Sequence, residues 1–336
     1  METRRLPVQE RSLVNRVSRT TQLPYLAALR PRQWTKNLVV FAAPLFEFKI
    51  HHFESIQGAL LAFALFCCAS SGFYLLNDII DVEADRRHPV KCKRPIAAGL
   101  VTIRVAIAMT VVLLAGSLLI GWLHAPALGA ALIAYAILQL AYNLRLKKTV
   151  ILDIGAIATG FVLRAYGGAA ATGIEISPWF VLCTAMLALF LGVEKRKAEL
   201  RLFEIKGGKT RSVLKRYSME LLTRMESVVT TGAVMSYALW SSGPQVQGAS
   251  TPWMLLTLPF VLYGVFRYQL LADPQEIARK SRRESALEEY GHSAVEGGQT
   301  ERPEEILLSD LPILLTVLGW VITIFVILWL KNAGII

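Results

Sequence analysis

Charged side chains are scarce in this chain: Asp, Glu, Lys and Arg make up 18% of its 336 residues, and apolar side chains make up 54%. A soluble globular domain carries about one charged residue in four, so that class is excluded. Cysteine is scarce as well. Cys67, Cys68, Cys92 and Cys183 show no C-x-x-C spacing, which speaks against a disulfide framework and against a zinc site. Of the five histidines, His51 and His52 are adjacent, a poor geometry for joint ligation on a helix, and they read as interfacial side chains. The stretch before Leu23 is Arg-rich without an apolar core and matches no cleavable signal. Residues 1–22 read as a cytoplasmic tail or an arm on anionic lipid, and an organelle transit peptide shares that composition.

Long apolar runs are abundant. Stretches near the ~20 residues that span a bilayer fall at 36–50, 55–77, 101–121, 124–142, 150–171, 176–193, 225–242, 252–271 and 310–330. Lipid offers backbone groups no hydrogen-bond partner, so these spans are expected to be helices. The expected fold is all-α, a polytopic membrane bundle of about nine transmembrane helices. It forms one domain over 23–336, with polar loops at 86–100, 143–149, 194–224 and 272–309. Leu200, Leu202, Phe203 and Ile205 predict a separate short helix after the sixth span, and 273–305 a helix and loop at the membrane surface.

A formal net charge of +11 would suit nucleic acid, but its placement does not. Of the 36 Lys and Arg, all but Lys49, Arg104, Arg164 and Lys331 lie before 37 or at 86–94, 145–148, 195–224 and 267–302. These are the tail and every second connection. The intervening connections, around HHFE, HAPA, ATGIEISP and GPQVQGAST, carry no Lys or Arg. By the positive-inside rule the basic side is cytoplasmic, so the chain is expected to be multi-pass in the plasma (inner) membrane, with lipid and not nucleic acid as its partner. An oligomer is compatible with the pattern.

Residues 77–85 read NDIIDVEAD at the end of the second span. On a helix Asp78, Asp81 and Asp85 recur at i, i+3 and i+7, and Asn77 lies one turn before Asp81, so four oxygen-bearing side chains share one stripe. Mg²⁺, a hard cation held by one or two carboxylates plus substrate phosphates, suits such a stripe. The bland alternative is a solvated helix end. LRPRQWTKN, KCKRP, YNLRLKK and EKRKAEL fall on the same side of the membrane. An acidic cluster bordered by Lys and Arg matches a Mg²⁺ complex of a polyanion. Lys36, Lys91, Lys93, Arg94, Lys147, Lys195 and Arg196, at span ends beside these motifs, are the phosphate-binding candidates, and the other basic residues serve as topology signals. Arg164 lies inside a span, where a charge costs about 2.5–3.5 kcal/mol, so it needs an anion: a bound phosphate or Asp153. Gly155, Gly160, Gly167 and Gly168 on the same span would allow close approach of a helix or ligand. Tyr74 and Tyr142 suit a hydrogen bond to a sugar or phosphate, and suit the membrane interface equally well.

The pattern N-D-x-x-D-x-x-x-D followed by a K-x-x-R-P loop, on nine spans, resembles the UbiA superfamily of intramembrane transferases. LRPRQWTKN, RHPVKCKRPIAAG, YNLRLKK, ILDIGAIATGFVLRAYGG and EKRKAEL are similar to its decaprenyl-phosphate phosphoribosyltransferase branch, from about Leu29 to the last span. The resemblance implies a Mg²⁺-dependent pentosyltransferase. It would move a phosphoribosyl group from phosphoribosyl pyrophosphate to a polyprenyl phosphate, with pyrophosphate released, toward arabinan precursors of the cell envelope. It also implies Asn77, Asp78, Asp81 and Asp85 around the metal, Lys36, Lys91, Lys93 and Arg94 on the donor phosphates, and Lys147 and Arg164 on the lipid phosphate. Aromatic prenyltransferases of the superfamily carry a second aspartate-rich motif after the sixth span. GVEKRKAELRLFEIKGGK has no aspartate there, which argues against the rival reading of prenyl transfer to an aromatic acceptor. A transporter would need polar residues threading the outer half of the spans, which is almost uniformly apolar, and a scaffold would leave the acidic stripe without purpose.

Overall fold

The computed structural model describes residues 24–47, 52–206, 213–273, 279 and 310–336. The tail, His51 and most of the 273–305 interval lie outside the described residues. Helix α1 (Pro24–Leu29) leads into a 3₁₀ segment, Pro31–Phe41, and then α2 (Ala42–Phe46). The long elements follow: α3 (Phe53–Ile80), the short α4 (Val82–Arg86), α5 (Ile103–His124), α6 (Pro126–Leu144) and α7 (Leu152–Thr172). Then come α8 (Pro178–Lys206), α9 (Met219–Ser241), α10 (Leu258–Leu271) and α11 (Leu311–Asn332). No strand occurs among the described residues, as backbone self-satisfaction in lipid requires of open chain segments.

Among the described residues seven stretches are long and apolar enough to cross a membrane: α3, α5, α6, α7, α8 to Glu204, the run Pro252–Leu271 and α11. Two of the nine expected spans differ from this set. Residues 36–46 form a 3₁₀ segment and a five-residue helix instead of a continuous span. Helix α9 begins at Met219, six residues earlier than its apolar run, and so takes in Glu220 and Arg224. The sixth span and the separate helix expected after it are one 29-residue helix, α8. Glu, Lys, Arg, Ala and Leu of EKRKAEL are strong helix formers, and Glu194–Lys197 and Arg196–Glu199 pair one turn apart.

Local signals set the helix ends. Pro126 occupies the first turn of α6, where its missing N–H costs nothing, and Gly173 closes α7 in the left-handed region at φ 65°. Ser218 caps α9 by accepting from Leu221 N at 3.1 Å. Asp310 caps α11 through Ile313 N at 3.0 Å and holds Arg267 through both carboxylate oxygens.

The chain divides into two compact units, Met1–Thr35 with Cys67–Leu119, and Lys36–Phe66 with Ile120–Ile336. In the first, Ala28, Leu75, Val82, Ile96, Val101 and Ala106 form a small core that fastens α4 and the loop behind it to α3. In the second, α8 packs against α7 and α9, and α10 against α11. Its aromatic centre sets Phe46 edge-on to Trp240 and Trp320, at centroid distances of 4.7 and 5.4 Å. Trp320 Nε1 donates to the Tyr237 hydroxyl at 2.8 Å, so the buried polar atoms are partnered. Gly168 of α7 lets the Val40 backbone lie directly against the helix, because any Cβ there would collide with the Val40 carbonyl.

Candidate active site

The acidic stripe stands where α3 passes into α4. Asp81 is the joint, yet Asp81 N donates to Asn77 O at 3.0 Å and Asp85 N to Asp81 O at 2.8 Å, so helical register continues across it. Asn77, Asp81 and Asp85 therefore follow one another at four-residue steps, with Asp78 at the edge of the fan beside Asp85.

The structure splits this fan into two edges. Asp78 and Asp85 are buried, at 3% and 2% exposure, and both are already paired. Arg30 Nη2 lies 2.6 Å and Arg94 Nη1 3.0 Å from the same Asp78 oxygen. The same Arg94 nitrogen lies 2.6 Å from Asp85, and Lys91 Nζ lies 4.0 Å from it. Asn77 and Asp81 are half-buried, and neither side chain has a hydrogen bond or ion pair among the described residues.

Two devices hold the cations in place. The loop 87–101 is pinned by Ile96 and Val101 in the small core, by Val101 N on Pro95 O at 3.1 Å, and by His88 Nδ1, which accepts from Val90 N and Lys91 N. The segment after α1 is pinned by Ser71, whose hydroxyl donates to Leu29 O at 2.9 Å and accepts from Trp34 Nε1 at 3.0 Å. Arg30 also lies over the Tyr74 ring at 5.0 Å, which accounts for Tyr74 as a platform. LRPRQWTKN thus brings Arg30 to the stripe in addition to the expected Lys36, and its signal in the sequence is an arginine directly before proline.

No three His, Cys, Asp or Glu side chains gather into a cage among the described residues. A cation at this place would draw on Asn77 and Asp81 and take its remaining oxygens from water or a ligand. That donor set fits Mg²⁺, which keeps part of its water shell and shares substrate phosphates, better than a zinc or calcium cage.

The second unit gathers the other candidates differently. Arg196 is fully buried and spends its guanidinium on Asp153, at 2.7 Å, and Glu199, at 2.5 Å. Tyr217 donates to Asp153 at 2.7 Å and accepts from Ile151 N at 2.7 Å, which steadies a left-handed Ile151 at the start of α7. Burial pushes the Tyr217 phenol up to about 12, and the Asp153 carboxylate adds to the effect. Lys197 binds Glu194 and Glu226, and Gln269 holds the far oxygen of Glu226. Both glutamates of EKRKAEL are thus paired with bases of the same motif, which they share with Asp153 and Glu226. Arg196, expected to face phosphate, has Nε and Nη1 engaged in this ion network, and its buried Nη2 has no hydrogen-bond partner among the described residues.

Arg164 was expected to need a phosphate or Asp153, and Asp153 belongs to Arg196. The buried Arg164 guanidinium donates to Asn37 Oδ1 at 2.6 Å, Gly160 O at 2.7 Å and Tyr135 OH at 2.8 Å, and stacks on Tyr135. Its hydrogen bonds are met by neutral acceptors. Tyr142 and Lys147 are half-buried beside the turn 146–148 and make no side-chain hydrogen bond or ion pair among the described residues. Lys36 and Lys195 are also half-buried, and Lys93 is exposed.

A profile of the UbiA prenyltransferase family matches residues 38–286. The chain belongs to the UbiA prenyltransferase family. A decaprenyl-phosphate phosphoribosyltransferase of Corynebacterium glutamicum is 36% identical over 307 residues, 89% of this chain and 85% of that protein. One of Mycobacterium tuberculosis is 35% identical over 302 residues, 88% of this chain and 91% of that protein. The fold is similar to that of a UbiA homolog from Archaeoglobus fulgidus bound to DMAPP and Mg²⁺, with a TM-score of 0.61 at 17% identity over 90% of this chain and 98% of that one. This UbiA-family chain is therefore a multi-pass membrane protein, and the expected all-helical fold holds, with seven helices among the described residues meeting the length and composition of a span.

Proposed function

We propose that this UbiA-family protein transfers the 5-phosphoribosyl group of phosphoribosyl pyrophosphate to a polyprenyl phosphate of decaprenyl type and releases pyrophosphate, in service of cell-envelope arabinan synthesis. The observation that carries the proposal is the similarity to decaprenyl-phosphate phosphoribosyltransferases over nearly the whole chain. The lack of any aspartate on the helix that would carry a second acidic motif for a prenyl diphosphate supports it, as does the paired state of Glu194 and Glu199 there, which leaves the exposed Glu204 as its one acid without an ion pair among the described residues.

In this reading Asn77 and Asp81 hold Mg²⁺, with Asp85 behind them kept in place by Arg94. When bound, the metal supplies charge stabilisation for a departing diphosphate. Lys91, Lys93 and Arg94 bind donor phosphate oxygens and orient the diphosphate along the departure direction. The bond from the anomeric carbon to the diphosphate oxygen breaks, and a new bond forms to an oxygen of the lipid phosphate. That oxygen is anionic at neutral pH, so no general base is required. Lys36, Lys147 and Lys195 are assigned to further phosphate contacts, Tyr142 to a hydrogen bond, and the polyprenyl tail to the bilayer side of the helices. The basic connections support the reading that this chemistry takes place at the cytoplasmic face of the plasma membrane.

The test is incubation of the purified protein in detergent with radiolabelled phosphoribosyl pyrophosphate, Mg²⁺ and polyprenyl phosphate. Labelled lipid is the expected product. Its absence, with turnover of a prenyl diphosphate and an aromatic acceptor instead, would return the protein to prenyl transfer.

A further inference from the structure

The most unusual backbone in the first unit belongs to Arg30, whose φ of 55° puts a non-glycine residue in the left-handed region directly before Pro31. Such a conformation is unfavourable for an L-residue, and it persists only where the surroundings hold it. Here they do: the Ser71 hydroxyl binds Leu29 O and Trp34 Nε1 on either side, and Arg30 N donates to Ala27 O at 3.2 Å. The result is an Arg30 guanidinium laid on Tyr74 with one nitrogen on Asp78.

Asp78 has no structural need of this second arginine. Arg94 alone already bridges Asp78 and Asp85. Placing two guanidinium groups on one carboxylate oxygen sets like charges side by side. The group of Arg30, Arg94 and Lys91 against Asp78 and Asp85 therefore keeps one positive charge in excess. Such an arrangement is favourable when a second anion shares the two arginines. Both side chains remain reachable, at 29% and 25% exposure, and one fork of five donors on each is far from exhausted by the contacts described.

We propose that Arg30 and Arg94 together bind a phosphoryl group of a substrate, with Asp78 as the anchor that sets the two guanidinium groups at phosphate spacing. Arg30 is thus a substrate-binding residue, and Asp78 a positioning residue that does not ligate the metal. Planar forks match a tetrahedral oxyanion where lysines would act as point charges, which is why arginine stands at both places. The inference rests on the proposed function for the identity of the phosphate, which comes from the ribose 5-phosphate end, the diphosphate or the lipid.

The experiment uses the full chain in detergent with Mg²⁺ and measures displacement of radiolabelled phosphoribosyl pyrophosphate by ribose 5-phosphate and by pyrophosphate, and, in turnover, the KM for polyprenyl phosphate. Wild type is compared with Arg30→Gln and Arg30→Lys, each with its unliganded unfolding midpoint recorded. At least one of the three constants is expected to weaken about tenfold in Arg30→Gln, or 1.4 kcal/mol, with an intermediate loss in Arg30→Lys, and the one affected names the phosphate. If Arg30→Gln does not fold, the loss in Arg30→Lys decides. The proposal is overturned if all three constants stay within about twofold while only the unfolding midpoint falls, the result a purely structural arginine gives. A wild type that turns over and binds normally beside unaffected variants sinks this inference alone. A wild type that binds no radiolabelled donor sinks the functional reading and this inference with it.

Discussion

Arg94 donates to Asp85 at 2.6 Å across a nine-residue separation, and the same nitrogen reaches back to Asp78. That one guanidinium divides a four-residue acidic stripe into a paired edge and an open edge. Stability is expected to depend on the first and metal-dependent turnover on the second.

Asp81→Asn and Asp78→Asn should therefore part company. Asp81 has no partner among the described residues, so its neutralisation leaves the unfolding midpoint nearly unchanged and lowers the Mg²⁺-dependent rate by about 10² or more, the scale of one lost electrostatic group. Asp78→Asn leaves Arg30 without a carboxylate and Arg94 with Asp85 alone, and costs about 1–3 kcal/mol of stability. Thermal unfolding and initial rates measured on the same preparations separate the two.

Arg196→Met should read as a stability defect. The substitution leaves Asp153 and Glu199 without their base, and breaking a buried pair from one side costs about 3–5 kcal/mol. The folded fraction is expected to keep its KM for the phosphate donor. A large rise in KM at normal stability would return Arg196 to the binding residues.

Tyr217 makes stability sensitive to alkaline pH. Its phenol titrates near 12 in the folded protein against about 10 when unfolded, so the protonated form is favoured by folding. The contribution is whole below pH 10 and disappears as pH rises toward 12. Unfolding midpoints of wild type should fall across that window more steeply than those of Tyr217→Phe, which has no phenol to ionise.

Gly168→Ala is expected to lose about 1–3 kcal/mol, the usual range for overpacking, because the new methyl meets the Val40 carbonyl and backbone yields less than a side chain. Gly155→Ala, which meets nothing within 4 Å, is the matched control on the same helix.

The division between what the sequence shows and what it hides follows interaction range. Apolar runs and the i, i+4 spacing of Asn77 and Asp81 are local, so α3, α5, α6, α7 and α11 and the stripe itself are legible. The 36–50 run is apolar by count, but residues 36–41 adopt 3₁₀ geometry, and Asn37 there is tied to Arg164, 127 residues away, a contact that no local pattern encodes. Asp78 looks like Asp81 in the sequence. The difference between them is Arg94 in the following loop and Arg30, 48 residues away and turned by its own backbone. EKRKAEL reads as a basic motif because its spacing is visible, whereas the acids that absorb Arg196 and Lys197, Asp153 and Glu226, lie on α7 and α9.

The most direct test of the central claim counts products. With phosphoribosyl pyrophosphate, Mg²⁺ and polyprenyl phosphate, wild type should release pyrophosphate and form phosphoribosyl lipid in equal amounts, and Asp81→Asn should form neither at a comparable rate. Pyrophosphate released without lipid-linked phosphoribose, or an Asp81→Asn protein as fast as wild type, would contradict the account.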